Sequence, residues 1–408
     1  MSVPSRKTVI LIPDSMAWVL GTWATEIRRW NSKDCRFVIF PASEIQAQPS
    51  LFLDTARKAN IIHCLSKWDF PMVRALLDRN GVPGIKVISS IHHIMKDEPL
   101  STTLDADRIM VVCNRYRDQI LHVGVPAAKL FKIYNGANTD EFLSKDRIAA
   151  RKVLGLPQDG LFIGFAGKFS SNSADRKGID IFTKVIKMMP PELQSMVHFV
   201  ITGPGWENTL QQVAAGANRI HYLSFIDRER MPDFYNSLDI YLVTARVEGG
   251  PMPVIEAMSC GIPVISTPVG MVPDFIRDGE NGIMIDHDDV SGAVAAIRRL
   301  SANERLRKKI GEQARKTVID HLQWRTTLSG MNGLYDFTGS AQMTAEGKGG
   351  LTDAQIEKLS AELIKRDIAR WQRIFRNEPA AGRQPIGSNW LAQIKLLANH
   401  FRFLRRKN

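Results

Sequence analysis

The sequence predicts an α/β protein built from two doubly wound parallel sheets, and three observations carry that prediction. A chain of 408 residues, 44% of them hydrophobic, exceeds what one hydrophobic core usually organises. From residue 8 onward, short β-branched runs alternate with amphipathic segments of roughly ten to fifteen residues, the pattern of βα units on a parallel sheet. The alternation breaks once, from Leu143-Ser-Lys-Asp-Arg147 through Gly155-Leu-Pro-Gln-Asp-Gly160, and then restarts, which marks a linker.

The first series is expected to place strands at 8–12, 36–40, 61–65, 86–91 and 108–112, with helices such as 18–30 and 70–79 between them. The second is expected to place strands near 161–166, 197–202, 220–223, 239–243, 263–266 and 283–285, and to close on a charged helix over 303–321. Two such sheets make a cleft between the carboxyl ends of their strands, where doubly wound sheets bind ligands. Residues 340–350 are small, polar and glycine-rich and read as a flexible connection. Beyond it, Thr352 and Gln355 form a capping box ahead of an amphipathic run to Phe375. In the last segment, 386–408, Trp390, Ile394, Leu397, Phe401 and Leu404 share one helical face among Lys395, Arg402, Arg405, Arg406 and Lys407. That composition suits an anionic membrane surface, or packing on the protein body or another chain.

A net charge of +12 predicts a negatively charged partner: a phosphorylated substrate, an anionic membrane face or nucleic acid. No nucleic-acid motif is recognisable. Cys35, Cys64, Cys113 and Cys260 are scattered without metal-ligand spacing, so reduced thiols and no metal site are expected. The apolar run at 8–12 is cut by Pro13 and Asp14, which reads as a strand and not a signal peptide. No stretch approaches the ~20 apolar residues that span a bilayer. A cytoplasmic protein, with at most peripheral membrane contact, is the expectation.

The densest chemistry lies in Glu248-Gly-Gly-Pro-Met-Pro-Val-Ile-Glu256, after the strand at 239–243. Two carboxylates flank a glycine-rich turn that opens a helix over 254–260, stopped by Gly261. Unpaired N–H groups at a helix start carry partial positive charge, so Gly250, Met252 and Val254 are expected to aim donors at a diphosphate. Pro251 and Pro253 stiffen the turn, with Pro253 at the first helical position. The glutamates are suited to sugar or ribose hydroxyls, since a carboxylate accepts several hydrogen bonds.

Continued through Ala257-Met-Ser-Cys-Gly-Ile-Pro-Val-Ile-Ser-Thr-Pro-Val-Gly-Met-Val-Pro-Asp274 and Asp278-Gly-Glu-Asn-Gly282, this stretch resembles glycosyltransferase family 4, retaining enzymes of the GT-B fold. Phe165-Ala-Gly-Lys168 with Lys177-Gly178, Ile201-Thr-Gly-Pro-Gly205 and Asn135-Gly-Ala-Asn138 extend the similarity over roughly residues 8–337. The resemblance implies a Rossmann-like acceptor domain over 1–150, a Rossmann-like nucleotide-sugar domain over 151–323, a crossover helix at 324–339 and a helical extension over 340–408. It also implies transfer of a sugar from a nucleoside-diphosphate sugar, as co-substrate, to a hydroxyl acceptor without a bound metal, and the basic tail points to a cell-surface polysaccharide, lipopolysaccharide or lipid-linked glycan as that acceptor. The alternatives are a nucleotide-sugar-binding protein without turnover and a glycosyltransferase acting on nucleic acid.

By the same resemblance, Lys168 and Lys177 grip the donor diphosphate, Glu256 binds ribose and Glu248 lies near the donor sugar. Lysine replaces the arginine usual at 168, and the loop between the two lysines is long enough for Arg176 to stand in for Lys177. Of His92 and His93 after the fourth strand, adjacent residues face opposite ways, and alignment favours His92 as the one that looks into the site. His63 ranks lower. The expected catalytic set is His92, Lys168 and Glu248. The expected donor-binding set is Gly21, Gly167, Lys168, Lys177, Gly203, Gly249, Gly250, Met252, Pro253, Val254 and Glu256. Gly250 stands where an aromatic residue is common, which predicts more room, or a different shape, beside the sugar. Trp18 and Trp23 are read as acceptor platforms or core residues.

Overall fold

The computed structural model describes residues 6–337 and 350–375, apart from 83, 96, 97, 99, 208 and 211–218. The connection at 340–349 and the basic segment at 386–408 lie outside the described residues. Two six-stranded sheets form, each with every recorded neighbour pair parallel.

The first sheet holds β1 (Lys7–Ile12), β2 (Cys35–Ile39), β3 (Ile61–Cys64), β4 (Lys86–Ile91), β5 (Arg108–Val111) and β6 (Leu130–Lys132), in the order β2-β1-β3-β4-β5-β6. The second holds β7 (Leu161–Ala166), β8 (Val197–Thr202), β9 (Ile220–Tyr222), β10 (Ile240–Val243), β11 (Val264–Ser266) and β12 (Ile283–Met284), in the order β12-β11-β10-β7-β8-β9. Every expected strand is present within a residue or two. Only β6 escapes the sequence reading, because it is a three-residue, half-buried edge strand with no alternation to detect. The apolar runs are long because both faces are covered, as in β1, where Val9 to Ile12 are all fully buried.

Five helices matter for the site: α1 (Val19–Asn31), α2 (Ile179–Lys187), α3 (Met252–Ser259), α4 (Glu304–His321) and α5 (Asp353–Phe375). Asn303 caps α4 through its side chain, accepting from the Leu306 amide. The chain then crosses back to the first sheet, with Ala137 and Leu322 joined by a backbone hydrogen bond of 2.8 Å. Tyr335 reaches His63 at 2.9 Å. The four cysteines are buried and free.

The capping box forms, with Thr352 N to Gln355 Oε1 at 2.8 Å and Gln355 N to Thr352 Oγ1 at 3.2 Å. It opens α5, which lies on the first sheet beside its edge strand β2. Ser360 Oγ accepts from the Ile39 amide at 3.1 Å, supplying a partner to an edge-strand N–H. No described helix is long and apolar enough to cross a membrane.

Reversal of strand order creates a crevice at the carboxyl ends of the flanking strands. The switch points fall between β1 and β3 in the first sheet, and between β7 and β10 in the second. The loops that follow these four strands carry the candidate site.

Candidate functional site

The two sets of loops meet across a cleft. Tyr116 donates its hydroxyl to the Glu248 carbonyl at 2.7 Å, the Asn114 amide donates to Asp274 Oδ2 at 2.9 Å, and Asn135 Nδ2 donates to the Gly250 carbonyl. The turn at 248–250 thus packs directly against the first half.

That contact explains the double glycine. A side chain at Gly249 would place its Cβ 1.3 Å from the His92 carbonyl oxygen. At Gly250 the Cβ would fall 2.5 Å from Asn135 Nδ2. The space beside Gly250 is therefore occupied by Asn135. Asn135 also accepts from Trp23 Nε1 at 3.0 Å, and Trp23 is fully buried, so this tryptophan is a core residue.

The helix start differs from expectation by one position. Pro251 occupies the N-cap, Met252 is the first helical residue and Pro253 the second. The Val254 N–H is spent on the Pro251 carbonyl at 2.9 Å and is not free for a ligand. A cap without a side-chain acceptor makes this exchange, because the backbone then satisfies its own third amide.

Around Glu248 the charges converge. Arg176 Nη1 lies 2.7 Å and Lys177 Nζ 3.4 Å from its Oε1. Both basic residues reach the carboxylate, so the long loop brings Arg176 in beside Lys177. Burial by itself raises the Glu248 carboxyl, but Lys177 and Arg176 more than reverse this and hold it below its ordinary value. Gly167 leaves the Lys177 ammonium space, with its Cβ position 3.2 Å from that Nζ. Gly203, at φ +118°, lets the loop after β8 pass against the Gly167 carbonyl. Lys168 is exposed beside this cluster, its Nζ 6.0 Å from the centroid of the Trp18 ring.

Glu256 is buried on α3. Its Oε2 accepts from Tyr235 at 2.8 Å, and Arg228 stands 3.4 Å from Oε1 while also reaching Glu141 at 3.4 Å. Burial raises its carboxyl despite Arg228. A carboxylate offers about four acceptor positions. Two partners therefore leave capacity for a diol.

The first half presents a different chemistry. The His92 ring turns inward, edge-on to Trp23 with centroids 5.6 Å apart, and its Nε2 is buried without a hydrogen-bond partner. At His93, burial first and then the charges of Lys67 and Arg176 push the imidazole down to about 4, against the opposing pull of Glu248 and Glu98. Of the two adjacent histidines, His93 is the one that feels the Glu248 charge. His63 is fully buried between Tyr335 and Ser90, at 2.9 and 2.7 Å, and belongs to the core. The position beside Gly21 is filled by the Met16 backbone at 2.5 Å, so this glycine serves loop packing.

Sequence reasoning passed over Lys67, Glu98, Asp14 and Asp69. Lys67 and Glu98 form a buried pair at 2.6 Å, and Lys67 also donates to the His93 carbonyl. Asp14 and Asp69 follow the switch-point strands β1 and β3; burial pushes their carboxyls up to about 6 and about 7, with the Asp14 charge adding to the rise at Asp69. Their place just past predicted strand ends was the available signal. Among the described residues, no group of three or more His, Cys, Asp or Glu is disposed to hold a metal ion.

Two facing doubly wound domains define a GT-B architecture. HepE of Anabaena, solved with UDP and glucose, superposes with a TM-score of 0.68 over 81% of this chain and 99% of its own, at 16% identity. Residues 146–317 match the family described as Glycosyl transferases group 1. A D-inositol 3-phosphate glycosyltransferase of Geodermatophilus obscurus is 27% identical over 53% of this chain and 52% of its own. The lipopolysaccharide core biosynthesis mannosyltransferase LpsB of Rhizobium meliloti is 31% identical over 40% of this chain and 48% of its own. The chain spans about half the length of these curated relatives.

Proposed function

We propose that the protein is a retaining glycosyltransferase that moves a sugar from a nucleoside-diphosphate sugar to a hydroxyl acceptor, with no resident metal. The observation that supports this reading is the convergence of Arg176 and Lys177 on Glu248 in the loops after β7 and β10, the switch-point strands of the second sheet. The donor diphosphate lies among Lys168, Lys177 and Arg176. Glu256 takes ribose hydroxyls, and the free N–H groups at the start of α3 face the phosphates.

In transfer, the bond from C1 of the sugar to the diphosphate oxygen breaks, and the acceptor oxygen bonds to C1 on the same face. The acceptor proton passes to the departing diphosphate. Fixed cations in a dry cleft favour the charge that develops on that group. Glu248, ionised by its neighbours, stabilises positive charge at C1 and does not need to bond to it. His93 is neutral at pH 7, and a neutral imidazole there suits a hydrogen bond to the sugar or acceptor.

Similarity to a lipopolysaccharide core mannosyltransferase supports a cell-surface or lipid-linked glycan as acceptor. The basic segment 386–408 would then hold the enzyme at the cytoplasmic face of an anionic membrane. Thermal-shift measurements with UDP-, GDP- and ADP-sugars should reveal one preferred donor through a raised midpoint. Glu256→Ala should weaken that donor about tenfold, while Lys168→Ala should lower turnover about 100-fold. Wild-type kinetics in both variants would defeat the assignment.

A further inference from the structure

We infer that Asp367, on the C-terminal helix α5, is a positioning residue for the donor cleft, holding the loop after β1 in its working shape. The inference rests on the glycosyltransferase reading for its catalytic consequence. It rests on hydrogen bonds alone for its structural half.

Asp367 is fully buried and takes part in no ion pair among the described residues. Its Oδ2 accepts from Ser15 Oγ at 2.9 Å and from the Met16 amide at 2.7 Å, and its Oδ1 accepts from Ser43 Oγ at 2.7 Å. Ser15 lies 352 positions away in sequence. An uncompensated buried carboxylate is costly, and an apolar side chain would dock a helix better. What the carboxylate adds is direction, since charge-assisted hydrogen bonds fix the donors that make them.

Two of those donors, the Ser15 hydroxyl and the Met16 amide, sit in the switch-point loop Pro13–Trp18, and the third, Ser43, lies in the helix Ala42–Ala47. Ser15 Oγ in turn accepts from the Ala17 amide at 3.0 Å, so one carboxylate organises consecutive residues. Met16 packs its backbone onto Gly21 in the first turn of α1. Trp18, at the N-cap of α1, meets the ring of Trp371, one turn beyond Asp367, at 5.8 Å, and Lys168 stands over its other surroundings at 6.0 Å. A continuous set of contacts therefore runs from α5 through the loop to the lysine assigned to the donor diphosphate. Docking of α5 as such is served elsewhere, by buried Ile356 and Leu363 and by the exposed Arg6–Asp353 pair.

The test compares Asp367→Ala with Ile356→Ala, which loosens docking without touching the loop, and with Asp367→Asn, which retains one acceptor oxygen. Hydrogen exchange of the Met16 and Ala17 amides reports the loop. Donor turnover with water as acceptor reports the cleft. Asp367→Ala should accelerate exchange at least tenfold and lower kcat/KM about tenfold, Asp367→Asn should recover part of both, and Ile356→Ala should lower only the unfolding midpoint. Wild-type exchange or wild-type turnover in Asp367→Ala overturns the inference, as does Ile356→Ala reproducing both effects. A wild-type protein that binds none of UDP, GDP or ADP would instead sink the glycosyltransferase reading, and the exchange measurement would still decide whether Asp367 holds the loop.

Discussion

The two walls of the cleft solve the problem of buried charge in opposite ways. On the second-half wall, Lys177 and Arg176 share Glu248 with Lys168 beside them, so cationic charge exceeds what the carboxylate neutralises and is available to an anion. On the first-half wall, Lys67 is consumed by Glu98, the histidines are held neutral, and Asp14 and Asp69 are pushed toward protonation by burial. One wall keeps charge in reserve for a ligand. The other has settled its charges internally, and its remaining polar groups suit hydroxyls better than phosphates.

Three substitutions test that contrast, and the largest effect belongs to the settled wall. Lys67→Ala strands the buried Glu98 carboxylate and frees the His93 carbonyl, and should cost about 3–5 kcal/mol of folding stability, measured by denaturant unfolding. A loss below 1 kcal/mol would mean the pair is not structural. Gly249→Ala should act on the cleft: a Cβ 1.3 Å from the His92 oxygen prevents the halves from meeting. At roughly 2–3 kcal/mol for such overpacking, turnover should fall about 30- to 100-fold with the second-half fold intact by circular dichroism. Unchanged turnover would show that the contact is not used.

The smallest effect is a gain. Asp69 titrates at the ordinary 3.8 when unfolded and at about 7 when folded. The folded state therefore binds the extra proton within that window, and the Asp69 contribution to stability declines as pH rises through it. Asp69→Asn should stabilise the protein at pH 8 by roughly 1–3 kcal/mol, discounted for its partial contact with solvent, and by nothing measurable at pH 4. An equal effect at both pH values would contradict the assignment.

The second-half wall was the more legible in sequence because its parts are contiguous. Glu248, the glycines, the prolines and Glu256 lie within nine residues, and a turn followed by a helix is a local event. Even there, the sequence could place the helix start only to within one residue. The free-amide expectation for Val254 failed because a cap without a side-chain acceptor bonds to its own backbone. On the first-half wall, the strand ends were correctly placed, but the close approach of Gly249 to the His92 carbonyl brings in a residue from the other half and could not be read locally.

What the sequence determined unaided was therefore everything set within a few residues: the alternation of strands and helices, the capping box at Thr352 and Gln355, and the turn between the two glutamates. These follow from backbone sterics and short-range hydrogen bonds. The tertiary structure alone decided the order of strands that makes the switch points, the filling of the Gly250 space by Asn135, and the hold of Asp367 on a loop 352 positions away. Such contacts leave no periodic trace in the chain, because they arise from which faces pack together after the local elements have formed.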